Sequence, residues 1–293
     1  MDHDALRLFL HLTETLHFGK TSRACNISPS ALSRQIQRME DEVGQKLLER
    51  NNRKVMLTEA GLLFRDYARS VLAGWQNLMN KLMDDKSVLK GEISIYCSVT
   101  ASLSVLPGLL TAFRSSYPDV HIRLQTGDAA VAIRKVLDGE TDIAVSALPE
   151  KIPGVLNFKI LTETSLVFIA PKIPWAFSHA LKENMIWKDI PMILSERGLA
   201  RKKIDAWFKK QRIQPNIYAQ VSGNEAIMSM VSLGCGIGIV PKLVVEKSPL
   251  KNSVLILALD SLLDPYTVGI CVQKRKMNSP LIRAFWEIET ESR

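Results

Sequence analysis

The sequence predicts an N-terminal, mostly helical winged helix-turn-helix with a long linker helix, followed by a C-terminal α/β domain built from two Rossmann-like halves. Three observations lead to this architecture. A hydroxyl-capped helix precedes a short basic hairpin, an apolar heptad repeat then continues along a long helix, and strands alternate with helices from about residue 91 onward.

Length and composition are those of a folded protein with more than one domain. The 293 residues are 46% hydrophobic and 23% charged, values typical of globular proteins and unlike disordered or fibrous chains. The longest purely apolar run, Val254–Leu259, is far shorter than the roughly 18 residues of a membrane span, and no secretory signal is visible near the N-terminus. Four scattered cysteines suit a reducing compartment. We therefore expect a cytoplasmic protein without membrane contact.

The formal net charge of +8 permits binding to nucleic acid but does not locate it. Residues 1–90 and residues 91–293 are both mildly basic, so the bulk charge does not say which part touches a polyanion. The placement of the charged residues has to decide.

Helical signals dominate the first ninety residues. The apolar spacing over Leu6–Leu16 predicts an amphipathic first helix, and a short second helix is expected at about Lys20–Cys25. Ser28 followed by Pro29 predicts the start of a third helix, because the hydroxyl caps it and the proline lacks an N–H that would have no partner there. Gly44 is expected to end this helix.

The third predicted helix has an apolar stripe on one side and Ser, Arg and Gln on the other, as in a helix-turn-helix. An ordinary helical hairpin with a solvated face is the alternative. The DNA-binding interpretation gains support from the turn pair Asn51-Asn52, which separates Leu47–Arg50 from Arg53–Leu57 as in a basic wing suited to phosphates or a minor groove. The candidate DNA-binding residues are Ser28, Pro29, Ser30, Ser33, Arg34, Gln37, Arg38, Arg50, Arg53 and Lys54.

A long helix is expected after the wing, capped by Thr58 and continuing to about residue 86. Its apolar residues step by 4 and 3 for nearly three heptads, a spacing typical of a helix that pairs with a second copy. The alternative is a core helix that lies across its own domain. The candidate dimerisation residues are Phe64, Ala68, Val71, Trp75, Leu78 and Leu82.

The remainder of the chain alternates strands with helices, which predicts mostly parallel sheets covered by helices. Two such halves suggest a cleft between them, where ligands bind at the carboxyl ends of the strands. The predicted strands are Ile93–Cys97, Val120–Thr126, Asp142–Ala147, Leu166–Ala170, Met192–Leu194, Ile217–Val221, Ile237–Val240, Val254–Leu259 and Thr267–Val272.

Hydroxyl and charged residues follow several of these strands. Ser98 and Thr100 stand between a strand and a helix, where backbone N–H groups favour an anion such as a carboxylate. Simple helix capping is the alternative there, and Asp128 is expected to cap its helix rather than touch an anionic ligand. Arg201 is expected to grip a ligand carboxylate with two hydrogen bonds. The candidate ligand-binding residues are Ser98, Thr100, Ala101, Thr126, Asp128, Ser195 and Arg201.

Signatures of enzymes are few. Gly234–Gly238 follows a predicted helix and enters a strand, the reverse of the order in a dinucleotide-binding loop, so it predicts a tight helix-to-strand turn. No nucleophile elbow, P-loop or metalloprotease motif is present, and the histidines are too scattered for a metal site. We expect no catalytic residues, no metal and no cofactor.

Two stretches, Phe18–Glu40 and Leu47–Gly61, strongly resemble the winged helix-turn-helix of LysR-type transcriptional regulators. The family's order of wing, linker helix and two-part effector domain covers the whole chain. The divisions it implies are a DNA-binding domain at 1–58, a linker and dimerisation helix at 59–90, and an effector-binding domain at 91–293, with subdomain I at about 91–163 and 268–293 and subdomain II at about 164–267.

The resemblance also implies partners and residue roles. It implies an effector domain similar to periplasmic binding proteins, homodimers paired through the linker helix, homotetramers on double-stranded promoter DNA, and RNA polymerase as a further partner. Arg53 matches the wing residue that enters the minor groove. Many relatives have Gln where this chain has Pro29, which removes one base-reading amide. The positions that match the family's DNA-contacting face are Pro29, Ser30, Ser33 and Arg34, and those that match its effector-contacting turn are Ser98 and Thr100.

Within the family, four effector-domain stretches resemble activators of the acetohydroxy acid isomeroreductase gene in branched-chain amino acid synthesis. That resemblance implies acetolactate or acetohydroxybutyrate as the inducer. A different small carboxylate inducer is one alternative, and an enzyme or small-molecule-binding protein with a helical dimerisation segment is another. The four stretches are Ser94–Thr100, Thr126–Ala130, Val231–Gly236 and Ala284–Trp286.

Overall fold

The structure is a computed structural model that describes residues 2–50, 55–82, 89–175, 187–258 and 265–288. The chain divides into two compact units, Met1–Gly91 and Glu92–Arg293, and each is described by itself. Within the described residues, no helix combines the length and the apolar character that a membrane crossing requires. Two predicted DNA-binding residues, Arg53 and Lys54, lie outside the described residues, as does the side chain of Arg50.

The first unit consists of helices and one short hairpin. Its helices α1, α2 and α3 are followed by antiparallel strands β1 and β2, and then by helix α4. In the described residues α4 has 24 residues, which corresponds to roughly 36 Å. The bounds are α1 (His3–Thr15), α2 (Phe18–Ala24), α3 (Pro29–Val43), β1 (Leu48–Arg50), β2 (Val55–Leu57) and α4 (Glu59–Leu82).

The predicted capping residues begin and end these helices. The Ser28 hydroxyl accepts the backbone N–H of Ala31 at 3.1 Å, and Gly44 ends α3 in the left-handed conformation. Thr58 caps α4 in the same way, accepting the N–H of Gly61 at 2.9 Å. The predicted starts of α3 and α4 are therefore confirmed. In both, the hydroxyl satisfies a backbone N–H group that has no partner within the helix.

A small apolar core holds the first unit together. The Phe9 ring packs edge-on against Phe64 with centroids 5.0 Å apart, so α1 and α4 are in direct contact. Glu40 is buried, and its carboxylate accepts the backbone N–H groups of Leu47 and Leu48 at 2.9 and 3.1 Å. These hydrogen bonds fix the end of α3 against the hairpin, and a buried carboxylate requires such partners.

The second unit contains two five-stranded sheets. The first has the strand order β4-β3-β5-β12-β6, and the second has the order β11-β7-β10-β8-β9. The strand bounds are β3 (Gly91–Cys97), β4 (Val120–Thr126), β5 (Ile143–Ala147), β6 (Leu156–Thr164), β7 (Leu166–Pro171), β8 (Pro191–Ser195), β9 (Asn216–Val221), β10 (Ile237–Pro241), β11 (Val254–Ile256) and β12 (Tyr266–Gln273). The helix bounds are α5 (Val99–Ser104), α6 (Leu106–Ser116), α7 (Ala132–Leu137), α8 (Leu199–Gln211), α9 (Asn224–Ser232), α10 (Lys242–Lys247) and α11 (Pro280–Glu287).

Both sheets are mixed, so the prediction of mostly parallel sheets is wrong in this respect. Strands β3 and β5 pair in parallel, as do β8 with β9 and with β10. Strand β12 pairs antiparallel with β5 and β6, and β7 pairs antiparallel with β10 and β11. Strand β6 was not predicted, because its half-exposed residues lack a continuous apolar run. Only Ser165 separates β6 from β7, which belongs to the other sheet.

Two local features of the second unit concern how its helices begin and end. The helical segment between Val99 and Ser116 is divided at Val105 into α5 and α6, with Pro107 in the first turn of the second helix. Gly234–Gly238 does lead from α9 into β10, as the order of the residues predicted. Strand β10 is completely buried between helices and neighbouring strands, which fits its continuous apolar sequence.

Candidate functional site

The outer face of α3 presents polar and basic side chains. Arg34, Gln37 and Arg38 are exposed, whereas Leu32, Ile36 and Met39 are buried on the opposite side. Near the start of the helix Pro29 and Ser30 are also exposed, while Ser33 is half-buried. This arrangement leaves one helix face available for base edges and phosphates.

Two of these side chains are held by their own helix. The Arg34 guanidinium lies 3.4 Å from the Ser30 carbonyl oxygen, and the Gln37 amide donates to the Asp41 carboxylate at 2.8 Å. The turn between α2 and α3 contains Asn26 in the left-handed conformation, which asparagine tolerates better than most residues. The connection is therefore tight, as in a helix-turn-helix.

The apolar stripe of α4 is divided into a buried part and an exposed part. Phe64 is 7% exposed and Ala68 is completely buried, both in the core against α1. The interpretation that these two residues face a second chain is wrong, because α1 already covers them. Beyond them Val71 is half-buried against the same core. The residues of the exposed part are Trp75, Leu78 and Leu82, together with Leu63 and Tyr67, which the sequence analysis did not select.

A cleft of about 570 Å³ lies in the second unit at the carboxyl ends of β5, β8 and β9. It is lined from both sheets, with Ser98, Gly127–Ala130 and Ser146 from the first and Ser195–Ala200 from the second. The position matches the expectation that the cleft forms where parallel strands end. The remaining lining residues are Ile133, Ala147, Pro149, Glu150, Lys151, Lys202 and Val221–Asn224.

Two buried hydroxyls of the cleft lack a protein partner. The Oγ atoms of Ser146 and Ser195 are inaccessible and make no hydrogen bond within the described part of the chain. Ser146 is only 4% exposed, at the end of β5, and Ser195 ends β8. A buried polar group without a hydrogen bond is costly, so both hydroxyls are suited to bind a polar ligand.

Helices α8 and α9 both begin at the cleft. Their N-cap residues, Gly198 and Gly223, line the cleft and supply no side-chain hydrogen bond to the first turn. The first N–H groups of each helix therefore lack a side-chain cap, and the positive end of the helix dipole faces the cavity. An anion is the ligand that such helix ends favour.

Acidic and basic residues line the cleft in equal number. Arg197 donates through Nε to the Asp128 carboxylate at 2.9 Å. The other oxygen of Asp128 accepts the N–H of Ala130 at 2.9 Å, so the prediction that Asp128 caps its own turn is confirmed. Because acids and bases occur in equal number, placement rather than net charge determines what the cleft attracts. The acidic lining residues are Asp128, Glu150 and Glu196, and the basic ones are Lys151, Arg197 and Lys202.

Arg201 does not line the cleft, which corrects its predicted role. Its guanidinium donates to the Asp205 carboxylate at 2.8 Å, to the Ser195 carbonyl oxygen at 2.8 Å and to the Gln220 side chain at 2.7 Å. Position 201 lies on the side of α8 that faces β8 and β9, so its side chain is held within the protein. Arg197, in the loop before α8, is the arginine that lines the cleft. Arg197 is not among the ligand-binding residues predicted from the sequence.

Three further predicted residues do not line the cleft either. The Thr100 hydroxyl donates to the Glu225 carboxylate at 2.6 Å, a hydrogen bond that joins α5 to α9, while Ala101 is buried and Thr126 is exposed at the end of β4. Ser98 does line the cleft and also caps α5, accepting the N–H of Ala101 at 3.1 Å. Thr100 is thus absent from the cleft lining, and its hydroxyl proton is directed to Glu225 rather than toward the cleft.

The described residues offer little support for metal binding or for a reactive thiol. No group of His, Cys, Asp and Glu among them could hold a metal ion. Burial raises the pKa of the Cys97 and Cys271 thiols to about 11, so both are protonated and weakly nucleophilic at neutral pH.

Comparisons with known proteins agree with this geometry. The sequence profile of the bacterial regulatory helix-turn-helix protein, lysR family, matches residues 3–62, and that of the LysR substrate binding domain matches residues 86–292. The chain is 44% identical to the HTH-type transcriptional regulator IlvY of Escherichia coli (strain K12) over 292 residues, covering 98% of each. It is 42% identical to the HTH-type transcriptional activator IlvY of Haemophilus influenzae over 288 residues, covering 98% of this chain and 99% of that one.

A solved structure supports the fold. Full-length CbnR in complex with its target DNA shares the fold with a TM-score of 0.68 at 21% identity, covering 98% of each chain. The relatives are named as transcriptional regulators rather than enzymes. The helix-turn-helix, the two-sheet domain with its cleft and both profile matches lead to one conclusion: the chain belongs to the LysR family of bacterial transcriptional regulators.

Proposed function

We propose that the chain is an activator of branched-chain amino acid biosynthesis that binds promoter DNA in the cytoplasm and responds to acetolactate or acetohydroxybutyrate. The similarity to IlvY proteins over nearly the full length supports the regulatory role and the pathway. The observation that carries the ligand class is the cleft, where two unpartnered serine hydroxyls accompany two helix ends without side-chain caps.

In this proposal residues 1–58 bind DNA. The exposed face of α3 enters the major groove, where Arg34 offers two N–H groups to a guanine edge. The wing, with Arg50, Arg53 and Lys54, contacts phosphates or the minor groove. The full set of proposed DNA contacts is Ser28, Pro29, Ser30, Ser33, Arg34, Gln37, Arg38, Arg50, Arg53 and Lys54. Of these, Ser28 acts mainly by capping α3.

Residues 59–90 pair two copies of the chain. The exposed apolar residues of α4 supply the contact, because a helix that extends beyond its own core otherwise leaves large side chains in water. Two dimers on adjacent half-sites give the tetramer expected from the family resemblance, and RNA polymerase is the further partner of an activator. The proposed pairing residues are Leu63, Tyr67, Trp75, Leu78 and Leu82.

Residues 91–293 bind the inducer. Acetolactate has a carboxylate, a hydroxyl and a ketone around a compact branched carbon skeleton. The starts of α8 and α9, with Arg197, suit the carboxylate, and the hydroxyls of Ser146 and Ser195 suit the two neutral oxygens. Ile133 and Leu199 supply apolar lining for the alkyl groups. The inducer changes the regulator only by binding one arrangement of the two sheets better than another.

The cleft is also large enough for a carboxylate other than acetolactate. A cavity of about 570 Å³ exceeds the volume of a five-carbon acid, so a larger carboxylate also fits the same polar groups. A LysR-type regulator with a different carboxylate inducer is therefore the alternative that the geometry supports.

A DNase footprint on the DNA beside its own gene tests the regulatory proposal. The salt concentration is fixed at about 0.15 M, because phosphate contacts make affinity steeply salt-dependent. We expect protection of adjacent half-sites whose pattern changes on addition of acetolactate. A protection pattern that does not change with acetolactate would support the regulatory role and contradict acetolactate as the inducer. The absence of specific protection at this and at more distant promoters would contradict the regulatory role.

Matched variants make the same experiment sharper. Replacing Arg34 by Ala should cost about 1–3 kcal/mol of promoter binding if the guanidinium reads a base. Arg7→Ala is the control, because Arg7 is an exposed arginine of α1 that pairs with Asp4 at 3.3 Å. Equal promoter affinity for the two folded variants would contradict the assignment of α3 as the recognition helix.

The serine hydroxyls give an independent test of the cleft. Ser146→Ala should weaken acetolactate binding by roughly tenfold, measured by calorimetry, while leaving the melting temperature unchanged or raised, because the hydroxyl has no hydrogen-bond partner among the described residues to lose. Ser115→Ala is the control, since the Ser115 hydroxyl is exposed on α6 and donates to the Thr111 carbonyl. Unchanged acetolactate affinity in Ser146→Ala would remove this hydroxyl from the site.

A further inference from the structure

The cleft is bridged by an ion pair between its two walls. Asp128 follows β4 of the first sheet, and Arg197 follows β8 of the second, so their contact at 2.9 Å links the two halves of the domain. Both residues line the cavity. The guanidinium that is best placed to bind a ligand carboxylate is thus already bound to a carboxylate of the protein.

The two partners differ in how firmly they are held. The Asp128 side chain is 19% exposed, and its second carboxylate oxygen caps the turn at Ala130. The backbone carbonyl oxygen of Asp128 accepts a hydrogen bond from the buried Tyr96 hydroxyl at 3.1 Å. The Arg197 side chain is 59% exposed. Asp128 is therefore the fixed partner, and Arg197 is the one that can turn toward another anion.

The backbones come close at the same place. A Cβ atom at Gly198 would lie 3.2 Å from the Cβ of Ala130, and the positive φ of Gly198 (+100°) also favours glycine. The segment Gly127–Ala130 thus faces Arg197–Gly198 directly across the cleft. Exchanging the partner of Arg197 removes a side-chain contact between these two segments.

We propose that Asp128 sets the affinity of the inducer site for carboxylates, by occupying Arg197 until the carboxylate of an inducer replaces it. This inference rests on the proposed ligand role of the cleft. A ligand carboxylate near the starts of α8 and α9 lies within reach of Arg197, and two carboxylates that compete for one guanidinium repel each other. A neutral ligand has nothing to offer Arg197 in exchange. Arg197 therefore makes the site favour anions over neutral ligands, and Asp128, by competing for Arg197, sets the concentration at which anions bind.

Asp128→Asn isolates the charge from the fold. The asparagine Oδ1 still accepts the N–H of Ala130, so the turn keeps its cap, while the negative charge that holds Arg197 is lost. Asp138→Asn is the matched control. Asp138 directly follows α7 and forms an ion pair with Arg134 on that helix, and neither residue lines the cleft. Melting curves establish that both full-length variants are folded.

The measurement is calorimetric binding of three probes to the full-length protein: acetolactate, 2-hydroxyisobutyrate and acetoin. The last is acetolactate without its carboxyl group. We expect Asp128→Asn to bind both carboxylates about tenfold more tightly than the wild type, with no gain for acetoin. Asp138→Asn should bind all three probes as the wild type does. In an Arg197→Gln background the gain from Asp128→Asn should fall below twofold, because the exchange of partners is then impossible.

The outcomes separate this inference from the proposed inducer. If the wild type ignores acetolactate but Asp128→Asn gains affinity for 2-hydroxyisobutyrate through Arg197, the inducer is wrong and the role of Asp128 stands. If acetolactate binds the wild type and Asp128→Asn equally, the inference is overturned while the inducer stands. An equal gain with and without Arg197 would also overturn it, since general electrostatic attraction would then explain the effect.

Discussion

The helix that we propose contacts DNA and the cleft that we propose binds the inducer are assembled from very different lengths of chain. The face of α3 comes from one run of 15 residues, and helical periodicity alone places its exposed side chains together. The cleft gathers residues from Ser98 to Asn224, and only the order of strands in two sheets brings them together. Local periodicity thus specifies a surface, whereas a binding cavity depends on pairing between distant segments.

Helix α4 has one periodic apolar stripe, of which one part is buried in the core and another part is exposed. Phe64→Ala should lower the free energy of unfolding of the first unit by about 3–5 kcal/mol, because a buried aromatic ring leaves a cavity against Phe9. Leu82→Ala is the control on the same helix, with a side chain 67% exposed, and should leave this free energy nearly unchanged while weakening self-association. Urea denaturation and sedimentation measure the two effects. Equal destabilisation by both variants would contradict the division of α4 into a core part and a pairing part.

Two glycines of α4 sharpen the same boundary. A Cβ atom at Gly61 would lie 2.0 Å from the Leu47 carbonyl oxygen, so Gly61→Ala should force α4 away from the hairpin and cost about 2–3 kcal/mol of stability. Apart from the neighbouring backbone of α4 itself, no atom of the described residues lies within 4 Å of a Cβ added at Gly74, so Gly74→Ala should stabilise the helix by up to about 1 kcal/mol. Thermal denaturation followed by circular dichroism compares them. Opposite signs are expected, and a shared sign would refute the close packing at Gly61.

The second unit should respond to pH through a half-buried ion pair between Asp142 and Lys276. Burial pushes the pKa of Asp142 upward, but Lys276, with Nζ 2.7 Å away, and two hydrogen bonds from Ser94 outweigh it and hold the pKa below its ordinary value of 3.8. A carboxylate with a lowered pKa contributes stability above its unfolded pKa and loses it as the pH falls through the folded pKa.

Asp142→Asn should therefore destabilise the second unit by about 1–3 kcal/mol at pH 7. The difference from the wild type should persist down to about pH 5 and narrow below about pH 4. Urea denaturation at a series of pH values measures this. A difference that stays constant into the acid range would show that Asp142 stabilises the fold without its charge.

The smallest expected effect concerns the four thiols. Cys97 and Cys271 are buried with pKa values of about 11, whereas Cys25 and Cys235 are half-buried. Titration with an aromatic disulfide reagent at pH 8 should modify one thiol in each unit quickly and leave Cys97 and Cys271 nearly unreactive until urea is added. Fast modification of all four in the folded protein would mean that the β3 and β12 strands open readily.

The sequence by itself indicated the helices of the first unit, the two ends of α3 and the family. Ser28, Pro29 and Gly44 define α3 through interactions with residues a few positions away, and such local hydrogen bonds are legible in a linear sequence. The helix-to-strand turn at Gly234–Gly238 was predictable for the same reason. The order of strands and helices likewise indicated two α/β halves with a cleft at the strand ends.

Tertiary structure alone decided which side chains reach that cleft and which helix face is covered. Arg197 and Arg201 are four residues apart, yet only the packing of α8 against β8 and β9 places one in the cleft and binds the other to Asp205, Ser195 and Gln220. Phe64 and Leu82 share one heptad stripe, and the presence of α1 beside the first separates their roles. The physical reason is the same in both cases: periodicity fixes the direction of a side chain relative to its own helix, while its partner is supplied by a distant part of the chain.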